Sequence, residues 1–368
     1  MRINSTKENL LEGIQIIQAS GAARTTLPIL HNFLMETDEG KIKLVRTDLE
    51  MATTHYINAE VVEPGSITIP AKEFSDILHT LSGDTEITVY TDETKVHIEC
   101  GKSKFWVMGT LKEEYPLVPE MENSNMVQMP AETVRQMIQK TIFAASNQET
   151  RYVLNGLLWV VGPDGFEMVA TDGRRLAISL NKDIKAGKEL KIIVPTKILN
   201  EIVRFLGINE PEKDEKIEVG ISENQIGFRM RNTTYISRLI EGNFPNYKQV
   251  IPASTDKKMV VSVKELMAVT KRAALCAADR GGSVRYEIRP GSVLVKASSQ
   301  KMEFSDEITA EFDGGEFITS FNPQYVTDVL KNTKADKIEF GMTNSINPAL
   351  LIPEGEEDSR YVIMPVRV

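Results

Sequence analysis

Cysteine and histidine are scarce in this sequence of 368 residues, and each scarcity excludes a class of protein. Only Cys100 and Cys276 are present, which excludes a disulfide scaffold and fits a reducing cytosol. The N-terminus lacks the apolar run of a signal peptide, and no stretch approaches the roughly 20 apolar residues of a membrane span. We therefore expect a soluble, cytoplasmic protein that does not enter membranes.

Metal-binding patterns are also missing. The four histidines are His31, His55, His79 and His97, and no two of them have the close spacing of a helical metal pair. His97 and Cys100 lie three apart on a predicted strand, so their side chains face opposite sides of the sheet. An exposed histidine and a core cysteine explain this pair better than a zinc site. We expect no metal and no cofactor.

Catalytic motifs are equally thin. Gly101-Lys102-Ser103 resembles the end of a phosphate-binding loop, but Val96 occupies the position where that motif needs its first glycine. The fragment also lies between two strands, so a plain turn is favoured. Neither a G-x-S-x-G element nor an H-E-x-x-H motif is present. We predict a protein without catalysis of its own, and an enzyme with an unrecognised site stays the alternative.

A threefold repeat organises the chain. Three strands each run into a helix that carries an apolar triple with i, i+3, i+4 spacing, which places the triple on one helical face. A second helix and a late strand recur with nearly the same period. The three triples are Phe74, Ile77 and Leu78, then Leu199, Ile202 and Val203, then Val326, Val329 and Leu330; the other markers are Leu10, Met137 and Leu266 in the helix and Phe105, Tyr235 and Tyr361 in the strand.

The repeat predicts three domains, at about 1–124, 125–252 and 253–368. In each, one helix is followed by several strands before the next helix, which favours antiparallel sheets with helices on one face, an α+β fold. The spacing of the two helices also suggests that each domain is a duplicated half. We predict helices at 7–20, 72–81, 132–146, 197–206, 264–278 and 323–333.

Charge is distributed unevenly. The chain has a formal net charge of -9, which argues weakly against nucleic acid. The predicted helices, however, carry ten Lys and Arg against eight Asp and Glu. If the helices share one surface, that surface is mildly basic and could contact DNA phosphates weakly and without sequence preference. Helix faces also carry Lys and Arg for solubility, so charge alone leaves both readings open.

One hairpin is marked by its turn. Asp172-Gly173 lies between two apolar runs, and such a pair is a tight-turn signal. Arg174 and Arg175 follow directly, and the turn alone does not say what they do.

Several segments together resemble one family. They are Arg24-Thr25-Thr26-Leu27-Pro28-Ile29-Leu30, Arg151-Tyr152-Val153-Leu154-Asn155-Gly156, Ala170-Thr171-Asp172-Gly173-Arg174-Arg175-Leu176-Ala177, Gly242-Asn243-Phe244-Pro245-Asn246-Tyr247 and Tyr361-Val362-Ile363-Met364-Pro365-Val366-Arg367-Val368. In this order they resemble the beta subunit of bacterial DNA polymerase III, a sliding clamp, over essentially the whole chain.

The resemblance implies an architecture and a function. Two copies would join head to tail, each contributing three clamp domains to a six-domain ring with the helices lining the hole. Such a homodimer would encircle double-stranded DNA and raise the processivity of a replicative polymerase by tethering it, which is an effective-concentration argument. A repeat-built interaction protein unrelated to DNA is the remaining alternative.

The resemblance also implies site residues. Arg24, Gln148 and Tyr152 match family positions near DNA, and we add Lys72, Lys197 and Arg204 from the helix charge. Phe105 and Leu275 match positions near the dimer contact, although core burial would explain both equally well.

Partners of the family are the replicative polymerase catalytic subunit, the clamp loader and repair polymerases, which insert short linear peptides between the second and third domains. Relatives often carry His where Arg174 stands and a basic residue where Gln249 stands, so the pocket rim differs here; the register near Ile346 is ambiguous by one residue. The matching positions are Leu154, Thr171, Gly173, Arg174, Arg175, Leu176, Pro245, Val250, Ile346, Pro348, Val362, Ile363, Met364, Pro365, Val366 and Arg367.

Overall fold

The computed structural model describes residues 1–21, 25–83, 85–121, 126–277 and 282–366. The backbone forms two compact units, Met1–Glu132 with Asn200–Leu239 and Thr133–Leu199 with Ile240–Val368. The helices in the described ranges are α1 (Lys7–Ile17), α2 (Ala71–Thr80), α3 (Ala131–Gln139), α4 (Thr196–Ile208), α5 (Val263–Ala277) and α6 (Pro323–Lys331).

The first unit contains two antiparallel sheets. One has the order β5 (Glu60–Glu63), β1 (Arg2–Ser5), β7 (Ile87–Asp92), β8 (Lys95–Cys100) and β9 (Ser103–Met108). The other has the order β10 (Met126–Pro130), β15 (Lys216–Ile221), β16 (Gln225–Met230), β17 (Thr233–Arg238), β4 (Met51–Ile57), β3 (Lys41–Thr47), β2 (Asn32–Asp38) and β6 (Ser66–Pro70).

The second unit contains twelve antiparallel strands in one connected order. They are β14 (Leu190–Pro195), β11 (Gly156–Gly162), β12 (Gly165–Thr171), β13 (Arg175–Asn181), β25 (Ser359–Ile363), β24 (Ala349–Pro353), β23 (Lys337–Met342), β18 (Lys257–Ser262), β21 (Glu303–Glu311), β20 (Ser292–Ser298), β19 (Val284–Arg289) and β22 (Phe317–Phe321).

These orders reveal a repeat within the repeat. The segments β6-β2-β3-β4, β14-β11-β12-β13 and β22-β19-β20-β21 have one order, and β1-β7-β8-β9, β10-β15-β16-β17 and β18-β23-β24-β25 have the companion order. Each third of the chain thus supplies two similar four-stranded segments, in line with the duplicated half suggested by helix spacing. Successive thirds join edge to edge, where β4 pairs with β17 and β13 pairs with β25.

The helices bury the faces that their periodicity predicts. Phe74 and Leu78 of α2 are fully buried, as are Leu199 and Ile202 of α4, because apolar residues at this spacing form one stripe. In the first unit α1 and α2 pack together, and in the second unit α5 packs on α6. The apolar triples of α2, α4 and α6 therefore lie at equivalent places in the three repeats.

Helix ends were predicted less well. The expected helix 132–146 ends at Gln139, because the Thr141 hydroxyl donates to the carbonyls of Met137 (2.7 Å) and Ile138 (3.2 Å), and a 3-10 turn at Ile142–Ala144 follows. The expected helix 7–20 likewise passes into a 3-10 turn after Ile17.

Candidate functional site

The hairpin between β12 and β13 is held by its own side chains. Asp172 Oδ1 accepts hydrogen bonds from the backbone N–H groups of Arg174 (2.8 Å) and Arg175 (3.1 Å). The Thr171 hydroxyl accepts from the N–H of Gly173 and donates to the carbonyl of Arg175 (3.0 and 2.6 Å). Gly173 has φ +86°, a conformation that favours glycine. The predicted tight turn is confirmed, and it fixes the side chains beside it.

Arg175 is locked into the protein. Its Nε lies 3.0 Å from Asp172 Oδ2, and its Nη1 lies 2.6 Å from Asp328 Oδ2 on α6. The guanidinium also lies over the rings of Tyr325 (4.7 Å) and Phe143 (5.6 Å), and the side chain is only 13% exposed. Arg175 thus anchors the hairpin to α6. It is a positioning residue and offers no free charge to a ligand.

Apolar residues form a floor beside this hairpin. Leu176 and Val362 pair across β13 and β25 and are buried with Leu158, Val169 and Tyr247 in one cluster. The Tyr247 hydroxyl donates to Glu167, and burial together with that carboxylate raises the Tyr247 pKa. Phe244 packs against the same cluster, so the segment from Phe244 to Tyr247 lies against this floor.

The rim is more open than the floor. Gly173, Arg174, Pro245, Val250 and Met364 are exposed, whereas Leu154 and Thr171 are buried and Pro348 and Pro365 are half-buried. The backbone N–H of Met364 donates to the carbonyl of Arg174 (2.9 Å), so the chain after β25 stays paired with the hairpin. We call this feature, with its floor at Leu176 and Val362, the β13–β25 pocket. A buried apolar floor with a mixed rim suits the anchors of a short peptide.

Three further predicted pocket residues belong to the third domain. Ile363 is buried next to Val362, and successive strand residues face opposite sides, so Ile363 belongs to the core beneath the sheet. Ile346 and Val366 line a cavity of about 1060 Å³ with Ile318 and Phe304. Arg367 lies outside the described residues.

The residues predicted to contact DNA differ in their exposure. Lys72 and Lys197 are exposed at the second residue of α2 and α4, and Gln148 and Tyr152 are exposed around the 3-10 turn that precedes β11. Arg204 is half-buried; its Nε lies 2.7 Å from Glu201, and its Nη2 donates to the carbonyl of Ile16 (3.2 Å) at the end of α1. Arg204 therefore caps a helix in this structure. Arg24 lies outside the described residues.

The predicted dimer residues are not core residues. Phe105 on the edge strand β9 is 37% exposed, and Leu275 on α5 is 69% exposed. Core burial, the competing explanation, therefore does not account for either. Trp106 and Met108 on the same edge strand are also exposed, and sequence reasoning missed them. The signal was the unbroken apolar run 105–108 where an alternating strand was expected.

No described helix is both long and apolar enough to cross a membrane. Among the same residues, no group of three or more His, Cys, Asp or Glu side chains is arranged to hold a metal ion.

Comparison with known proteins covers the whole chain. Family models for the N-terminal, central and C-terminal domains of the DNA polymerase III beta subunit match residues 1–119, 128–246 and 248–367. This chain belongs to the DNA polymerase III beta subunit family, the beta sliding clamps. Its similarity to the Haemophilus influenzae beta sliding clamp is 32% identity, with both chains covered completely.

Solved clamp structures have the same fold. The sliding clamp of Bartonella birtlesii bound to griselimycin superimposes with a TM-score of 0.94 at 28% identity, and that of Pseudomonas aeruginosa bound to griselimycin with 0.93 at 30% identity. Both matches cover all of each chain. The α+β clamp fold with three repeated domains, expected from the repeat and the resemblance, is confirmed, and the chain is a clamp-family protein from end to end.

Proposed function

We propose that this chain is a DNA sliding clamp, a homodimer that closes head to tail around duplex DNA without regard to sequence. It acts as a non-catalytic processivity subunit, tethering the replicative polymerase, the clamp loader and repair polymerases by their short linear motifs. We expect it to act in the bacterial cytoplasm. The observation that carries this proposal is the threefold domain repeat, matched from residue 1 to residue 367 by one family.

The open strand edges support ring closure. β9 ends its sheet with Lys104 and Phe105 exposed. β21 pairs with β18 at its last residues, and in the described part of the chain Glu303 to Thr309 have no partner strand on that side. Unpaired edges seek partners, and two identical contacts between two copies would close both. The exposed Lys104 on β9 and the acidic residues on β21 have complementary charge. We assign this contact to the dimer, with Phe105 and Leu275 beside it.

The DNA and peptide assignments rest on chemistry. Lys72, Lys197, Gln148 and Tyr152 offer exposed donors for phosphate contacts, which position a protein without reading sequence. A closed ring holds DNA by topology, so weak contacts suffice and an acidic chain can serve. The β13–β25 pocket is the tethering site for partner peptides. Domain limits of 1–124, 125–252 and 253–368 complete the proposal.

The decisive experiment tests topology. The protein is loaded onto nicked circular DNA with a bacterial clamp loader and ATP, isolated by gel filtration, and then run again after the circle is cut once. Retention on the circle and loss after cutting is the expected result. Retention on both forms would mean ordinary surface binding and would refute encirclement.

A pair of variants adds a control. Phe105→Asp and Val62→Asp place the same charge on the two opposite edges of one sheet, β9 and β5. Phe105→Asp should abolish retention on circles and shift the protein to a monomer in sedimentation, because it buries a charge at the contact. Val62→Asp should load normally. Equal behaviour of the two variants would contradict the assigned dimer edge.

A further inference from the structure

One short segment lies between the residues predicted to contact DNA and the β13–β25 pocket. It consists of residues 148–154, which follow the 3-10 turn Ile142–Ala144 and lead directly into β11. Gln148 and Tyr152 are exposed, the latter to 58%, whereas Leu154, a predicted pocket residue, is buried. The 148–154 segment thus carries residues of both predicted sites within one short stretch of chain.

Backbone hydrogen bonds define the shape of this segment. The N–H of Ser146 donates to the carbonyl of Leu154 (2.9 Å), which holds the two ends together. Inside the segment, the N–H of Arg151 donates to the carbonyl of Gln148 (3.1 Å), and a second 3-10 turn closes on the carbonyl of Tyr152. Arg151 separates the two turns, because its φ of −124° and ψ of 52° are not helical. Since the ends are tied, a shift of Tyr152 has to be taken up by its direct neighbours.

Arg151 connects the segment to the hairpin of the pocket. Its Nη1 donates to the carbonyl of Asp172 (3.3 Å). A Cβ at Gly173 would lie 2.9 Å from the same nitrogen, so the glycine at the pocket rim leaves room for the guanidinium. This bond is long and exposed, whereas Arg175 on the same hairpin is held at 2.6 and 3.0 Å in a largely buried position. Arg151 is therefore a weak tie, which can form and break while the hairpin stays folded.

Tyr152 and Val153 connect the segment to the floor of the pocket. A Cβ at Gly242 would lie 2.7 Å from Val153 Cγ1 and 3.4 Å from the Tyr152 hydroxyl, so the chain at Gly242 approaches both side chains closely. Gly242 has φ +131°, which also favours glycine. Two residues later Phe244 packs on the floor cluster, and Val153 packs on the same cluster directly. A change at Tyr152 therefore reaches the floor through contiguous contacts.

Coupling between two sites requires an element that both ligands hold in the same state. A phosphate that accepts hydrogen bonds from Gln148 and Tyr152 would fix the exposed side of the 148–154 segment. A peptide on the floor would fix its buried side, at Val153 and Leu154. Ordering a segment costs conformational entropy, and the ligand that binds second finds part of the ordering already done. We therefore expect each ligand to raise the affinity for the other.

We propose that DNA inside the ring raises the affinity of the β13–β25 pocket for partner peptides, through the 148–154 segment and the bond from Arg151 to the Asp172 carbonyl. The proposal deepens the proposed function and rests on it, because the DNA contacts of Gln148 and Tyr152 belong to that function. An empty clamp would then bind its partners less tightly than a clamp on DNA. Polymerases would therefore be held less often on rings that are not loaded.

The test compares the binding of one peptide to loaded and to free clamps. The probe is a capped, fluorescein-labelled peptide, Gln-Leu-Asp-Leu-Phe, whose apolar side chains suit the floor of the pocket. The full-length protein is loaded onto nicked circular DNA, separated from the loader by gel filtration and titrated with the peptide, and free protein is titrated in parallel. Fluorescence anisotropy gives both dissociation constants. We expect the peptide Kd of the loaded clamp to be lower by about fivefold or more.

Two variants test the route of the coupling. Tyr152→Phe removes the hydroxyl that would donate to phosphate but keeps the ring beside Gly242, and Arg151→Met removes the bond to the Asp172 carbonyl. Both positions are exposed, so neither change should impair folding. Each variant should bring the ratio of the two Kd values towards one. The matched control Arg238→Met removes an exposed arginine of the first unit and should leave the ratio unchanged.

The outcomes separate the coupling from the clamp function. Retention on circles with equal Kd values for loaded and free clamps refutes the coupling while the proposed function stands. A ratio that survives both Tyr152→Phe and Arg151→Met refutes the 148–154 segment as the route, and an equal change of both Kd values would mean that Arg151 only contacts the peptide. Loss of retention on circles refutes the proposed function and the coupling with it.

Linkage supplies an independent check, because coupling between two binding sites is reciprocal. Saturation with the peptide should tighten the binding of a short linear duplex by the same factor that DNA tightens the binding of the peptide. An unaltered Kd for the duplex would overturn the coupling even if the loaded clamp bound the peptide more tightly.

Discussion

At the β4–β17 junction the residue that follows the hairpin turn is Met51, whose apolar side chain is buried. At the same position in the β13–β25 junction, the largely buried cation of Arg175 pairs with Asp328 on α6. The two hairpins satisfy their backbone in the same way, through Thr47 and Asp48 in one case and Thr171 and Asp172 in the other. Locally satisfied hydrogen bonds preserve the strand framework, so the side chains behind it are free to diverge. As a result, ion pairs of Arg175 tie the second hairpin to α6.

The largest expected effect comes from removing that difference. Arg175→Met gives the second hairpin the residue type of the first but leaves Asp172 and Asp328 without their cation. Breaking a buried ion pair by removing one partner is costly, so we expect the free energy of unfolding of the second unit to fall by about 2–3 kcal/mol, somewhat below the fully buried case. Urea denaturation with fluorescence and circular dichroism measures it.

Two controls keep this result interpretable. Met51→Leu changes shape but little volume, and it should cost less than about 1.5 kcal/mol. Arg175→Met combined with Asp328→Leu should recover much of the loss, because an apolar pair often replaces a buried ion pair without penalty. A loss below about 0.5 kcal/mol for Arg175→Met alone would mean that the ion pairs do not anchor the hairpin.

The sequence predicts what depends on neighbours along the chain. Apolar spacing predicted the buried faces of α2, α4 and α6, and the Asp172-Gly173 pair predicted its turn. The equivalent turn at Asp48 was missed because Leu49 replaces the glycine that signals it. The premature end of α3 was also missed, since Thr141 can continue a helix as well as cap one.

Contacts between residues that are far apart in the chain are not indicated by the local sequence. Arg175 and Asp328 are separated by 153 residues, and nothing in either segment indicates that they meet. Most candidate site residues followed from the resemblance to a family. Helix charge added Lys72, Lys197 and Arg204, and the local pattern placed the turn beside the pocket. That Arg204 caps α1 could not be foreseen from helix charge, because it depends on how two helices pack.

A smaller difference between the junctions concerns protonation. His55 on β4 is buried, and its ring Nδ1 lies 2.8 Å from the Thr233 hydroxyl on β17; the corresponding pair in β13 and β25 is Ser179 and Ser359. Burial lowers the pKa of His55 to about 4. In the unfolded chain the same histidine binds a proton near pH 6.5. The contribution of neutral His55 to the free energy of unfolding is therefore complete above that pH and is lost as the pH falls towards 4.

At pH 5 the loss should reach about 2 kcal/mol, because the shift spans roughly 1.5 units of pH by then. Hydrogen exchange of β4 and β17 at pH 7 and pH 5, set against β13 and β25, measures it locally. His55→Gln cannot titrate and should flatten the dependence at β4. If the wild-type protein and His55→Gln lose equal protection, other groups govern the acid response.

The smallest effect concerns one backbone conformation and should have opposite signs at the two junctions. Leu49→Gly relieves the strain of a leucine at φ +78° and gives up little burial, so stability should rise by about 0.5–1 kcal/mol. Gly173→Leu introduces that strain, and its Cβ would lie 2.9 Å from Arg151 Nη1, so stability should fall by about 1 kcal/mol or more.

Thermal unfolding of both variants beside the wild-type protein checks the signs. A fall in stability for Leu49→Gly would mean that φ +78° costs this leucine little free energy, because the loss of side-chain contacts and the greater freedom of glycine in the unfolded chain would then outweigh the strain.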